Sequence, residues 1–196
     1  GALGATAVAM SPDGALVAIA LADNGFATLA IHEVQSGRRR EAFHAHHRTI
    51  HELCWTADGE CVVSVSADFT AKVWPARRVL DDDMPAEDDA LATLEHPSYV
   101  YCARTQPRGA MPPRSNAGAP DSVGGVAAPS LLVTGANDHG LRLWDISGEK
   151  AELLATKTAH KARINAVAWP NESTIYSADG AGVLKQWEVK TRAGGG

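Results

Sequence analysis

The apolar and polar positions of this chain form short runs that recur along the sequence. Residues 50–74 read IHELCW, TADGE, CVVSVS, ADFT and AKVW. The β-branched and aromatic runs predict strands. The segments between them predict tight turns, because Asp and Gly readily adopt turn conformations. This stretch therefore predicts three short antiparallel strands.

Three other stretches fit the same template. Residues 165–187 read NAVAW, PNES and TIYSADGAGVLKQW, and residues 5–31 read ATAVAM, SPDG and ALVAIALADNGFATLAI. Residues 100–144 fit once a long interruption is removed. Apolar runs REAF, ALATL and AELLAT predict a fourth strand for three of the units. No window keeps a helical apolar stripe, and the repeat interval agrees with the ~40–45-residue period of propeller blades.

The same polar residue types also recur at set offsets inside these units. The first set is His46, Ser64, Asp68 and Trp74, and the second is His96, Thr134, Asp138 and Trp144. A third set has His160, Ser177 and Trp187, with Ala181 where Asp is expected and Asp179 two residues earlier. Ser, His and Asp together suggest a hydrolase triad, but one active site does not need copies and no G-x-S-x-G motif is present. The repetition favours a buried hydrogen-bond network in which every donor finds an acceptor. A hydrolase that uses Ser64 and His46 is the alternative.

These motifs resemble the WD40 repeat family over nearly the whole chain. The resemblance implies an all-β fold, a WD40 β-propeller of about four consecutive four-stranded blades that is part of a seven-bladed ring. It also implies that the recurring His, Ser or Thr, Asp and Trp side chains form one buried chain inside each blade. Four segments resemble the jouberin family of ciliary WD40 scaffolds more closely. They are HELCWTADG, EHPSYVY, LLVTGANDHGLRLW and AHKARINAV.

The repeat also predicts the extent of each blade. The predicted blades occupy residues 1–45, 46–95, 96–159 and 160–190, and residues 191–196 form a tail. The first blade is degenerate, with Ile31 at the Trp position and no His, and the fourth lacks its outer strand. Both ends of the chain are therefore expected to be cut edges, with the remaining blades of a longer protein as the natural neighbours and with a tendency of this segment alone to aggregate.

Two segments do not fit the repeat. Residues 81–89, DDDMPAEDD, form an acidic run. Such a run is typical of a solvated loop, because like charges repel; a docking loop for a basic partner is the alternative. Residues 107–129 are mostly Pro, Gly, Ala and Ser, a composition that predicts a disordered loop.

Composition narrows the range of functions. The net charge is −5, which argues against nucleic acid or an anionic membrane as a partner. No run approaches ~18 apolar residues, so membrane insertion is not expected. The three Cys, namely Cys54, Cys61 and Cys102, lack disulfide spacing and suit reduced thiols in the cytoplasm. The segment HAHHRTIHELC suggests zinc but has no known ligand spacing, so no metal and no cofactor are expected, and a metal-binding module is the alternative.

These observations favour a non-enzymatic protein-interaction scaffold. The resemblance to jouberin implies a place at the cilium base, in the basal body and transition zone, with ciliary proteins as partners. Loops at one rim of the propeller carry candidate protein-binding residues, a mixture of basic and aromatic side chains that interfaces favour. They are His47, Arg48, Phe69, Ser98, Tyr99, His139, Lys161 and Arg163. The alternative is a WD40 adaptor of another complex, such as a ubiquitin-ligase receptor or a trafficking coat.

Overall fold

The described part of the chain forms four antiparallel sheets. The computed structural model describes residues 4–23, 25–76, 90–107, 130–148, 150–158 and 160–189. The first sheet contains β1 (Gly4–Met10), β2 (Leu16–Asp23), β3 (Phe26–Glu33) and β4 (Arg39–His46). The second contains β5 (Ile50–Trp55), β6 (Cys61–Ser66), β7 (Thr70–Pro75) and β8 (Ala92–Glu95). The third contains β9 (Val100–Thr105), β10 (Leu131–Ala136), β11 (Gly140–Asp145) and β12 (Glu152–Thr158). The fourth contains β13 (Ile164–Asn171), β14 (Thr174–Asp179) and β15 (Leu184–Glu188).

Strand register confirms that the four sheets are copies of one unit. Trp74 is paired with Val62, Trp144 with Leu132 and Trp187 with Ile175, each across the second and third strands of its sheet. In the first sheet, Ile31 is paired with Ala18 at the same place. The prediction of an all-β fold built from repeated antiparallel sheets is therefore confirmed.

The sheets pack face to face, with the first strands of successive sheets next to one another. β1 contacts β5, β5 contacts β9, and β9 contacts β13. Three apolar clusters fill the spaces between consecutive sheets. This arrangement is radial: each sheet buries its faces against its neighbours, as the blades of a propeller do.

Large aromatic side chains hold the first two sheets together. The rings of Phe43 and Trp74 lie 4.9 Å apart, and the indole N–H of Trp55 donates to the carbonyl oxygen of Ala9 in the first sheet at 3.1 Å. Trp169 is the matching residue of the fourth sheet and is also buried. Its Nε1 has no hydrogen-bond partner among the described residues.

The third and fourth sheets meet at a glycine. A Cβ atom on Gly135 would lie 2.6 Å from Cγ2 of Ile164 and 2.7 Å from Sγ of Cys102. Real Cβ atoms do not approach other atoms so closely, so only glycine allows this spacing between the two sheets.

The two predicted turn motifs SPDG and TADG adopt the same geometry. The Ser11 and Thr56 hydroxyls donate to Asp13 and Asp58 at 2.5 and 2.7 Å. Gly14 and Gly59 follow with φ of 71° and 72°, a conformation that glycine adopts without strain. The acidic run at 81–89, and residues 108–129 of the predicted disordered loop, lie outside the described residues.

Candidate functional site

The second sheet contains a continuous chain of hydrogen bonds. The Trp74 indole N–H donates to Ser64 Oγ at 2.9 Å. Ser64 Oγ lies 2.7 Å from His46 Nε2, and His46 Nδ1 lies 2.8 Å from Asp68 Oδ2. An indole only donates and a carboxylate only accepts, so a neutral imidazole is protonated at Nδ1 and accepts the Ser64 proton at Nε2.

The pKa values of this chain agree with those protonation states. Burial holds the pKa of His46 below its usual value, and the hydrogen bond to Asp68 opposes this only in part. Burial would raise the pKa of Asp68, but hydrogen bonds from His46 and Thr70 outweigh it, so the pKa lies below its ordinary value. Both Ser64 and His46 are fully buried. The hydroxyl therefore serves as an internal junction, with no exposure to solvent.

The third sheet repeats only part of this chain. The Trp144 indole donates to Thr134 Oγ1 at 3.0 Å, and Thr134 Oγ1 lies 2.8 Å from His96 Nε2. His96 Nδ1 then donates to the carbonyl oxygen of Leu94 at 2.9 Å. The prediction that Asp138 binds this histidine is wrong: Asp138 accepts two hydrogen bonds from Arg142 instead.

Two neighbouring residues explain the different partner of Asp138. Arg142 occupies the position of Lys72 in the second sheet, and its planar guanidinium binds a carboxylate with two parallel hydrogen bonds, which a lysine cannot do. In the second sheet the backbone N–H of His47 also donates to Asp68 at 3.3 Å. Pro97 follows the histidine of the third sheet, and proline has no N–H to attract the carboxylate.

The fourth sheet completes its chain from a different sequence position. The Trp187 indole donates to Ser177 Oγ at 2.8 Å, and Ser177 lies 2.7 Å from His160 Nε2. His160 Nδ1 lies 2.9 Å from Oδ2 of Asp179. Asp179 therefore replaces the aspartate that is missing at Ala181, because it lies two residues after Ser177 on the same face of β14. Hydrogen bonds to this carboxylate, first from the Val183 backbone, lower its pKa.

The first sheet has no such chain. Its register places Ile31 where the others have Trp, and Ala20 where they have Ser or Thr. Both side chains are fully buried. An apolar pair thus replaces the polar junction, which leaves no buried donor to satisfy.

The loops at one rim of the sheets form an open cleft of about 490 Å³. We call it the rim cleft, and define it by Phe26, Arg48, Thr49, His51, Tyr99 and Tyr101. It spans the first three sheets. Of the eight predicted rim residues, Arg48 and Tyr99 line it directly.

Two more of the predicted rim residues pack on tyrosines of the rim cleft. The Phe69 ring lies 5.2 Å from the Tyr99 ring, and Phe69 has a φ of 74°. That backbone conformation is strained for an aromatic residue, and such strain is concentrated at functional positions. The guanidinium of Arg163 lies 5.2 Å from the centre of the Tyr101 ring.

The other four predicted rim residues do not line the rim cleft. His47 is exposed and its ring lies 6.2 Å from Phe26. His139 has a φ of 65°, and Lys161 is exposed while Ser98 is half-buried. The sequence reasoning missed Phe26, His51 and Tyr101. Their alternation on strands was visible, but their approach to one another depends on how the sheets pack.

The described residues bring no group of three or more His, Cys, Asp or Glu side chains into a position to hold a metal ion. Within the HAHHRTIHELC segment, His46 belongs to the buried chain and the ring of His51 lies 4.8 Å from that of Tyr101. Burial raises the pKa of the Cys54 and Cys61 thiols to about 12 and about 11. In the same part of the chain, no helix is long and apolar enough to span a membrane.

Comparisons with known proteins agree with this architecture. Residues 37–75 match the WD40 family, described as WD domain, G-beta repeat. The crystal structure of RRP9 WD40 repeats has a TM-score of 0.74 at 15% identity, and the match covers 96% of this chain and 49% of that one. The fold and the matched repeat define the class: the chain contains a WD40 repeat at residues 37–75, and its sheets are arranged as blades of a partial β-propeller.

Among curated relatives, the chain is similar to jouberin. Jouberin of Rattus norvegicus is 28% identical over 182 residues, which are 91% of this chain and 15% of jouberin. COMPASS component SWD3 of Saccharomyces cerevisiae is 24% identical over 193 residues, covering 96% of this chain and 50% of SWD3. The chain thus spans a small part of jouberin and half of SWD3.

Proposed function

We propose that this chain is a non-enzymatic protein-interaction scaffold that acts, like jouberin, in cilium assembly at the basal body and transition zone. Similarity to jouberin over 91% of the chain supports the ciliary role. The scaffold role is supported by the fold and by the burial and hydrogen bonding of the hydroxyl groups that a hydrolase would need.

One observation carries the non-enzymatic part of the proposal. Ser64, Thr134 and Ser177 each bind a tryptophan indole and a histidine at hydrogen-bond distance. A catalytic serine must reach a substrate carbonyl next to an oxyanion hole. These hydroxyls are buried inside consecutive sheets, and their shared contacts serve the packing of each blade.

An active-site serine probe tests this part. We expect a fluorophosphonate to leave Ser64 unlabelled in the folded protein, as judged by mass spectrometry of the tryptic peptides. The unfolded protein is the control for background reactivity. Stoichiometric labelling of Ser64 in the native protein, abolished by His46→Ala, would instead support the hydrolase alternative.

Localisation tests the ciliary part. The protein, tagged in its natural full length and expressed at its own level in ciliated cells, is expected to concentrate at the ciliary base beside a basal-body marker. Its loss should reduce the fraction of ciliated cells. A diffuse or nuclear signal together with normal ciliation would contradict the ciliary role and leave the scaffold role in place.

A second candidate is an adaptor in a different multiprotein complex. The similarity to SWD3 over 96% of the chain favours this reading, because SWD3 is named as a component of the COMPASS complex. Both candidates use the same propeller surfaces and differ in the partner. Proximity labelling in the same cells separates them by whether ciliary or other proteins are enriched.

A further inference from the structure

The rim cleft carries positive charge on a protein that is acidic overall. The chain has a net charge of −5, yet the described side chains that line the rim cleft include Arg48 and no acidic residue. Arg48 is exposed, and no carboxylate of the described residues forms a salt bridge with it. A guanidinium that lacks an internal partner is available to an external anion.

A second guanidinium reaches the same cleft from the fourth sheet. Arg163 is exposed and stacks on Tyr101, with 5.2 Å from its Cζ atom to the ring centre. Tyr101 also contacts His51, with 4.8 Å between the ring centres. Burial first, and the charge of Arg163 second, lower the pKa of His51. That effect places Arg163 electrostatically close to His51, which lines the rim cleft.

Aromatic surface lies beside these two cations. Phe26 is 49% exposed, and the Tyr99 ring is held by the strained Phe69 at 5.2 Å. Tyrosine and arginine are the residues that most often dominate binding at protein interfaces. The rim cleft therefore combines rigid apolar contact area with two separated positive charges.

From this geometry we infer that the rim cleft binds an acidic linear peptide of a partner protein, with carboxylate side chains at Arg48 and Arg163 and an apolar side chain on the aromatic surface of Phe26 and Tyr99. This inference rests on the proposed scaffold function and specifies the chemistry of the partner.

The separation of the two cations favours carboxylates over a single phosphate. Arg48 lies in the loop that joins β4 to β5, whereas Arg163 lies in the loop before β13 and stacks on Tyr101 of the third sheet. A phosphate is best bound by several donors that converge on one point. Two cations on different sheets instead match two carboxylates along an extended chain.

A direct binding measurement tests the inference. The natural full-length protein is titrated against a short fluorescein-labelled peptide of alternating Glu and Leu, and fluorescence anisotropy is followed. We expect saturable binding that weakens as salt increases, and no binding of the matched peptide with Gln in place of Glu. Equal binding of the two peptides, or binding of neither, would overturn the inference.

Matched variants locate the site. Arg48→Ala and Arg163→Ala should each weaken binding by about tenfold, the loss expected for one charge-assisted hydrogen bond. Arg39→Ala, on the exposed outer strand of the first sheet, is the control and should bind as the natural protein does. Because Arg163 packs on Tyr101, thermal unfolding is measured for each variant. Arg163→Gln, which removes the charge but keeps a long side chain, replaces Arg163→Ala if that variant proves unstable. Unchanged affinity in folded Arg48→Ala and in a folded Arg163 variant that lacks the charge would refute the site.

A charge reversal and a phosphopeptide complete the test. The double variant Arg48→Glu with Arg163→Glu should lose the Glu peptide and bind a peptide of alternating Lys and Leu. A phosphoserine peptide of equal net charge that binds more tightly than the Glu peptide would contradict the carboxylate assignment.

Failure of peptide binding with normal localisation at the ciliary base would remove this inference alone. Failure of localisation would remove the ciliary proposal and leave peptide binding intact.

Discussion

The second and third sheets both carry a His, a hydroxyl residue, an Asp and a Trp with the same spacing from Asp to Trp, yet their aspartates have different partners. In the second sheet Asp68 binds His46 at 2.8 Å. In the third sheet Asp138 binds Arg142, and His96 turns to the carbonyl oxygen of Leu94. Both arrangements satisfy every donor in the chain from the tryptophan to the histidine. A repeated motif thus determines the backbone positions of these residues, while neighbouring side chains determine which hydrogen-bond partner each residue has.

The fourth sheet shows the reverse case, in which the sequence spacing changes but the histidine keeps a carboxylate partner. Its spacing from Asp to Trp is changed, but His160 still binds a carboxylate, that of Asp179 at 2.9 Å. The imidazole Nδ1–H needs an acceptor because it is buried. Any acceptor in reach fulfils that need, whether it is a turn carboxylate, a strand carboxylate or a backbone carbonyl.

The largest expected effect comes from removing the junction that both sheets share. Ser64→Ala leaves the Trp74 indole and His46 Nε2 without partners in a fully buried site, so we expect a loss of about 3 kcal/mol in the free energy of unfolding. Thr134→Val, which keeps the shape of the side chain, should have a similar effect in the third sheet. Denaturant unfolding measures both. Thr134→Ser retains the hydroxyl and is the control; if it destabilises the protein as much as Thr134→Val does, the junction is not the cause.

Acidification should distinguish the sheets next. Burial lowers the pKa of His96 to about 4, so the unfolded chain takes up a proton at higher pH than the folded one. Stability is then complete above about pH 6.5 and falls by at most about 1.4 kcal/mol per pH unit towards pH 4. The lowered pKa values of Asp68, Asp138 and Asp179 add a further loss below their ordinary range. Thermal unfolding between pH 7 and pH 4 measures this, and His96→Gln should flatten the profile; an unaltered slope in that variant would count against the assignment.

A pair of double variants should separate the two aspartates. Asp138→Ala leaves the buried guanidinium of Arg142 unpaired, so Arg142→Met added to it should restore about 1 kcal/mol or more. Asp68→Ala leaves the His46 Nδ1–H without its carboxylate, and Lys72→Met added to it should restore nothing. Equilibrium unfolding of the two double variants and of all four single variants, including Arg142→Met and Lys72→Met alone, gives the coupling energies. Equal rescue in both sheets would show that the two aspartates play the same part.

The smallest expected effect is on the titration of His96. Arg142 is one cause that lowers the pKa of His96, so Arg142→Gln should raise it by less than about one unit. The pKa of His46 should not change, because burial, Asp68, Lys72 and His47 account for its shift. Imidazole chemical shifts followed by NMR across pH measure both groups at once. A fall in the pKa of His96 in this variant would contradict the assignment of Arg142 as a group that lowers that pKa.

Much of the fold followed from local pattern. Alternation and turn residues predicted the strands, and the recurrence of Trp74, Trp144 and Trp187 predicted the repeat, because a strand and a tight turn depend on a few adjacent residues. Only some of the residues that line the rim cleft were predicted from the sequence. Arg48 and Tyr99 were predicted from their loops, whereas Phe26 and Tyr101 belong to strands of different sheets.

The sequence by itself determined the repeating antiparallel sheets and the buried positions of the His, hydroxyl and Trp side chains, because local periodicity sets which face of a strand is buried. Only the tertiary structure decided that Asp138 pairs with Arg142, that Asp179 replaces the missing aspartate, and that Arg163 meets Tyr101 at the rim cleft. These outcomes depend on competition between donors and acceptors brought together from separate strands, and that competition is resolved by distance and geometry after the sheets have packed.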